Sequence, residues 1–214
     1  MTDDTPLAEL RPLLVAALLP NVPFDGWTVQ ARDAAADAKG IDRDIAAMAL
    51  PDSAAMIDSY IAFADAGMVA AMGDCAGLKV RDRIRLALRS RLKAATPDRE
   101  AVRRALAILA QPQNAGLAAR SLWRTADTMW RAAGDTATDF NHYSKRAILG
   151  AVYSASLLYW LDDDSDDQAA TWAFIDRRID GIMAFEKTKA SAQKALAWLP
   201  NPARFLGRLR YPAV

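Results

Sequence analysis

Residues Trp123–Trp160 read WRTADTMWRAAGDTATDFNHYSKRAILGAVYSASLLYW, two helical patterns around a polar hinge. Gly134 predicts a helix stop, because glycine accepts the left-handed conformation that follows a helix C-terminus. Thr138 or Asp139 predicts the cap of the next helix, whose free N–H groups need a side-chain acceptor. The run Ala147–Leu161 then gives the most apolar helix in the chain. It falls short of the roughly 18–20 apolar residues of a membrane span and reads as a core helix. Gly150, Ser154, Ala155 and Ser156 put small positions on it. Such positions either let another helix approach or leave a cavity, and unfilled cavities are costly.

Upstream of the hinge the chain reads as successive helices. Leu7, Leu10, Leu14 and Leu18 recur at helical spacing, and Pro20 and Pro23 end that segment. Phe24 and Trp27 are expected to plug the junction. Thr28 can cap a second helix that Gly40 stops, and Asp42 can open a third that Pro51 ends. Asp52 or Ser53 starts a fourth, with Met56, Ile57, Tyr60, Ile61 and Phe63 on its inner side. Within residues 78–95, Lys79, Arg81, Arg83, Arg85, Arg89, Arg91 and Lys93 face only Asp82. Val80, Ile84, Leu88 and Leu92 form the apolar stripe of that segment. Its basic face suits lipid phosphates or an acidic partner, or else pairs with neighbouring acids. Thr96 and Pro97 signal a helix start. Val102, Leu106 and Leu109 point inward from that helix, and Pro112 closes it. Asn114 opens another, carrying Leu117, Leu122, Trp123, Ala126, Met129 and Trp130.

Downstream, Asp162–Asp167 resembles a calcium loop until its spacing is checked. From Asp162, the sixth position is Asp167 where glycine is needed, and the twelfth is Ala173 where glutamate is needed. Asp166 or Asp167 is expected instead to cap a helix containing Trp172, Phe174, Ile175, Ile179 and Ile182. From Glu186 onward Lys187, Lys189, Lys194, Arg204, Arg208 and Arg210 stand against that single acid. Trp198, Leu199, Phe205 and Leu206 supply apolar anchors among them. A basic amphipathic tail with aromatic residues suits an anionic membrane surface.

The 27 lysines and arginines nearly balance 26 acids, so no global field calls for nucleic acid. The lone Cys75 excludes an internal disulfide framework and fits a reducing compartment. The acidic start of the chain does not read as a secretory signal. No Gly-x-Gly phosphate loop occurs, and His142 has no cysteine or second histidine for a metal cluster. No catalytic residue and no metal ligand is expected.

The string Asp135-Thr136, Thr138-Asp139-Phe140-Asn141, Tyr143 and Lys145-Arg146 carries a resemblance. So do Leu157–Asp164, Thr171-Trp172 with Arg177-Arg178-Ile179, and Pro23–Thr28. Over roughly residues 10–185 the chain resembles the lipid-binding accessory proteins of ubiquinone biosynthesis, the ninth Coq protein. The resemblance implies an all-α, TetR-like bundle of about nine to ten helices. Its parts would be a helix-turn-helix-like part over 1–74, a lipid-binding body over 75–186 and a basic amphipathic tail over 187–214. It also implies a non-catalytic protein, peripheral to the inner membrane on the cytoplasmic side, that holds an isoprenoid between its C-terminal helices. Such a protein presents the lipid to the pathway's di-iron demethoxyubiquinone hydroxylase. The lipid is then expected against Leu122, Met129, Leu149, Val152, Tyr153, Leu157, Trp160, Ile175 and Ile179. The hydroxylase patch falls on Asp139, Phe140, Asn141, His142, Tyr143 and Arg146, where His142 replaces the family's tryptophan. The membrane patch falls on Lys194, Trp198, Arg204, Phe205, Leu206 and Arg208. No cofactor is expected beyond a bound isoprenoid or phospholipid. Expected partners are isoprenoid quinone intermediates, the hydroxylase, a membrane surface and, as a homodimer, a second copy, with no nucleic acid.

The alternative is a TetR-type transcriptional regulator with a hydrophobic ligand pocket, which also begins with short helices. Between Asp25 and Leu50, however, three cations (Arg32, Lys39, Arg43) meet five carboxylates (Asp25, Asp33, Asp37, Asp42, Asp44). A DNA-reading helix needs the reverse balance, because phosphate contacts dominate its affinity. A helical scaffold without a ligand is the remaining alternative; a filled core over 115–183 would mark it.

Overall fold

The computed structural model describes residues 5–135 and 140–182, and every regular element among them is helical. The helices are α1 Leu7–Leu18, α2 Val22–Asp25, α3 Val29–Lys39, α4 Arg43–Ala49, α5 Ser53–Met72, α6 Val80–Ala94, α7 Arg99–Leu109, α8 Ala115–Ala132 and α9 Phe140–Leu161. A further helix, α10, runs over residues 169–182. Contacts divide the chain into two compact units, 1–175 and 176–214. The expected break near residue 75 is not a division between units. α5 packs on α1 on one side and on α6 and α8 on the other, so the N-terminal part and the body share this helix.

The local signals set most of the helix ends. Thr28 Oγ1 accepts the Ala31 N–H at 3.3 Å, Asp42 Oδ1 accepts Asp44 N at 2.8 Å, and Asp52 Oδ1 accepts Ala55 N at 2.7 Å. Gly40 ends α3 in the left-handed conformation at φ 63°. At the hinge, Gly134 has φ 87°; its N–H reaches Arg131 O and the Asp135 N–H reaches Trp130 O, both at 2.9 Å. Those two bonds form a Schellman closure of α8, which satisfies carbonyls the helix leaves open. The expected cap at Thr138 or Asp139 lies outside the described residues.

Three local expectations change. The Thr96–Pro97 signal opens a 3-10 turn, Thr96–Asp98, ahead of α7. The Thr96 hydroxyl donates back to Leu92 O at 3.3 Å and does not cap forward. The loop before α10 is organised by Asp163, not by Asp166 or Asp167. Asp163 accepts the Ser165 N–H and hydroxyl at 2.9 and 2.6 Å, and the Thr171 N–H at 2.8 Å. Phe24 does not plug the α2 junction; it is 84% exposed, and Trp27 fills the site alone, donating Nε1–H to Ala101 O at 3.0 Å. Phe63 likewise lies outward on α5, while Met56, Ile57 and Tyr60 are buried.

α5, and not α9 as expected, is the most apolar of the long helices, and it is the one described helix long and apolar enough, by length and composition, to cross a membrane. Its two carboxylates tie it into the bundle instead. Asp58 accepts Arg124 at 2.7 Å and Ser121 at 3.0 Å, and Asp65 pairs with Arg91.

The basic segment is largely spent on structure. Arg83 donates to Leu78 O, Ala76 O and Ala133 O, Arg85 pairs with Asp82, and Arg91 is buried. In the helix-turn-helix-like part, Arg32 is buried against Asp33 and Leu50 O, and Arg43 pairs with Asp37 at 2.6 Å.

Candidate ligand cavity and hinge surface

A cavity of about 330 Å³ opens where α5 to α9 converge. Each wall follows from helical spacing. Val102, Ala105, Leu106 and Leu109 of α7 fall at i, i+3, i+4 and i+7, as do Ala118, Ser121, Leu122 and Thr125 of α8, so each set shares a face. Tyr153, Ser154, Leu157 and Leu158 come from α9, Tyr60 and Ile61 from α5, and Arg91 with Ala95 from the end of α6. Alanine at 95, 105, 110 and 118 is what leaves the space; larger side chains there would close it. Leu158, exposed to solvent and part of the wall, marks the mouth.

The small positions on α9 divide their labour. A Cβ on Gly150 would stand in ordinary contact, 3.5 Å, with the Leu122 side chain, so Gly150 faces α8 and not the cavity. Ser154 lines the cavity, while Ser156 donates to Val152 O at 2.7 Å in the core.

One side of the cavity is polar. Arg91 Nε donates to Asp65 Oδ1 at 3.0 Å, and the Thr125 hydroxyl donates to Asp65 Oδ2 at 2.9 Å. Arg91 and Asp65 are both buried. Burial pushes the Asp65 carboxyl up, and Arg91 and Thr125 offset part of that rise. Burial also raises Tyr60 and Tyr153 above the ordinary phenol value, so both hydroxyls stay protonated. Tyr60 is 4% exposed, and the neighbouring Arg91 side chain offsets part of the rise of its hydroxyl. Its ring lies 5.5 Å from that of Trp27.

α7 is fastened at its first turns. Arg99 donates to Asp163 O at 2.8 Å and lies 5.0 Å from the Trp160 ring centroid, and Arg103 donates to Leu161 O at 2.7 Å. These cations meet the C-terminal end of α9, where free carbonyls and the helix dipole favour them.

Of the residues expected to hold lipid, the structure brings Leu122, Tyr153 and Leu157 to the cavity. Met129, Leu149, Val152, Trp160 and Ile175 are buried away from it and pack the core; Ile179 belongs to the second unit. The space therefore lies farther toward α5 to α7 than a slot between the last long helices. Tyr60, Arg91, Ser121 and Thr125 were missed as lining residues. The spacing of Arg91 three residues after Leu88 on the stripe of α6 was the signal for one of them.

The hinge surface is held by charge. Arg146 donates to Asp127 Oδ1 at 2.6 Å and to Asp135 Oδ2 at 3.1 Å, and Lys145 Nζ meets Asp135 Oδ1 at 2.7 Å. Burial would push the Asp135 carboxyl up, but the bonds from Lys145 and Arg146 outweigh it and hold it low. Arg146, expected at the partner surface, is 2% exposed and is instead a structural clamp between the two helices. Tyr143 is 61% exposed, with its ring 6.0 Å from the half-exposed Trp123 and 5.2 Å from His142. Asp139, the side chains of Phe140 and Asn141, and the whole expected membrane patch of Lys194, Trp198, Arg204, Phe205, Leu206 and Arg208 lie outside the described residues.

Residues 115–186, which supply the α8 and α9 walls and the hinge, match the model of the COQ9 family. The ubiquinone biosynthesis protein COQ9, mitochondrial, of Rattus norvegicus is 32% identical over 184 residues, 82% of this chain and 59% of that protein. The Homo sapiens protein of the same name is 30% identical over 82% of this chain and 58% of its own length. The chain is similar to the COQ9 family. It spans just under three fifths of the length of these two COQ9 proteins, 58% and 59%. Among solved structures, a TetR transcriptional regulator from Nitrosomonas europaea superposes with a TM-score of 0.64 at 17% identity, covering 80% of this chain and 97% of that one. That likeness gives this chain a TetR-like fold.

Proposed function

We propose that this protein serves ubiquinone biosynthesis as a non-catalytic lipid carrier. It takes an isoprenoid quinone precursor into the cavity between α5 and α9 and delivers it to the pathway's di-iron hydroxylase at the inner membrane surface. The observation that carries the reading is the cavity itself. It is walled mainly by apolar side chains, with a few polar groups on one side. Sites of that size and make-up bind small amphiphilic molecules. The names of its COQ9 relatives supply the pathway. The titratable groups at the cavity do not read as catalysts: Asp65 and Arg91 are paired, and Tyr60 and Tyr153 hold their protons. The exposed Tyr143 and Trp123 pair is the surface offered to the hydroxylase; aromatic side chains are common interface anchors.

The TetR-like fold favours one competing reading, a DNA-binding regulator. Against it, Arg32 and Arg43 of the helix-turn-helix-like part are committed to carboxylates of the chain itself.

Native mass spectrometry of the purified full chain, followed by identification of the released lipid, tests the proposal. An isoprenoid quinone-like species is expected. Folded protein that carries no such species and takes none up from membrane extract overturns it.

A further inference from the structure

Asp167 and Gln168 stand side by side in the left-handed region, at φ 50° and φ 60°. Residues that carry a side chain rarely take that conformation, and they keep it only where surrounding contacts impose it. Two of those contacts lie within the loop. Asp167 O accepts the Trp172 Nε1–H at 2.7 Å, and the Gln168 N–H reaches Ser165 O at 3.0 Å. The Gln168 side chain reaches out of the loop. Its Oε1 accepts the Trp160 Nε1–H at 3.0 Å, and its Nε2 donates at 2.9 Å to Thr96 Oγ1, 72 residues away. The Thr96 hydroxyl in turn donates to Leu92 O at 3.3 Å. A line of donors and acceptors therefore runs from α9 through Gln168 to the end of α6.

Both ends of that line border the cavity. Leu158, at the mouth, stands two residues before Trp160, and Ala95, in the wall, directly precedes Thr96. Arg99 and Arg103 grip the same end of α9. The Gln168 bonds differ from theirs in working against backbone strain, and strain of this kind collects at ligand clamps and switch segments.

We propose that Gln168 is the latch of a strained clasp. Closed, it holds the α6–α7 corner against the end of α9; open, it lets the mouth at Leu158 widen for a guest. This rests on the reading that the cavity takes up an apolar guest. It adds the element that sets the rate of entry.

The test measures by stopped-flow fluorescence how fast the uncharged apolar dye N-phenylnaphthylamine enters the full chain. Gln168→Asn keeps a residue that tolerates the left-handed conformation, but one methylene too short to span Trp160 and Thr96. Thr96→Val removes the hydroxyl at the other end of the line. Each is expected to speed entry and release about tenfold, the effect of one lost hydrogen bond, with affinity changed by no more than about twofold. The double variant is expected to be no faster than either single one, because both cut the same line. Entry rates within about twofold of wild type in both single variants, or effects that multiply in the double variant, overturn the latch while the lipid-carrier reading stands. Dye that enters neither wild type nor variants overturns both. Should Thr96→Val not fold, the entry rate of Gln168→Asn decides alone.

Discussion

Asp163 organises the turn between α9 and α10 from a single side chain. Burial alone would push its carboxyl up; hydrogen bonds from the Ser165 and Thr171 side chains and N–H groups outweigh that and hold it well below the usual carboxylate range. A carboxyl depressed in the folded state contributes stability that is present above its unfolded value of about 4 and lost as pH falls toward its folded value. Asp65 works the other way, because burial raises it and charging it in the fold is costly. Melting curves of wild type and Asp163→Asn between neutral pH and pH 3 separate the two. The variant is expected to melt lower than wild type at neutral pH, and the gap is expected to shrink as the pH drops below about 4. A gap that stays constant with pH would remove Asp163 from this role. Arg91 and Arg146 teach a related lesson about charge. Both sit on inward stripes, Arg91 after Ile84 and Leu88, and Arg146 before Leu149 and Tyr153. Reading charge as exposure put them outside; reading position put them inside. A buried cation is tolerated there because carboxylates await it, and those carboxylates lie 26 residues away for Arg91 and 11 and 19 away for Arg146.

The helices were legible where their ends are local. Thr28, Gly40, Asp42, Asp52 and Gly134 act within four residues of themselves, so composition and order suffice to read them. Phe24 and Phe63 were not, because spacing names the face of a helix but not what covers it. Met129 and Trp160, expected at the ligand, do not line the cavity for the same reason: a buried apolar side chain looks alike whether it touches a neighbour or a guest. The α8 stop gives a direct test at this scale. Gly134 combines φ 87° with an Arg83 guanidinium nitrogen 2.9 Å from where a Cβ would stand. Gly134→Ala is expected to destabilise the protein by about 1–2 kcal/mol, the cost of a left-handed side-chain-bearing residue. Urea unfolding measures it. A change within about 0.3 kcal/mol would mean that the Schellman closure is not what sets the turn.

Across the whole molecule, the bundle contains the cavity while the basic tail lies outside the described residues. The tail's cations with Trp198, Phe205 and Leu206 are expected to favour an anionic membrane surface, where each cation would contribute about 1 kcal/mol. Deleting residues 187–214 is expected to reduce flotation with anionic liposomes by more than tenfold while the helical signal and melting of the body persist. Undiminished flotation would place membrane contact on the body. α7 carries a mechanical consequence for the bundle. Its opening turns are gripped by Arg99 and Arg103, which hold the end of α9, while its closing turn, with Leu109, borders the open space. A guest larger than the resting volume would therefore press on that far turn against the grip of the Asn114 side chain on Ile108 O at 2.9 Å.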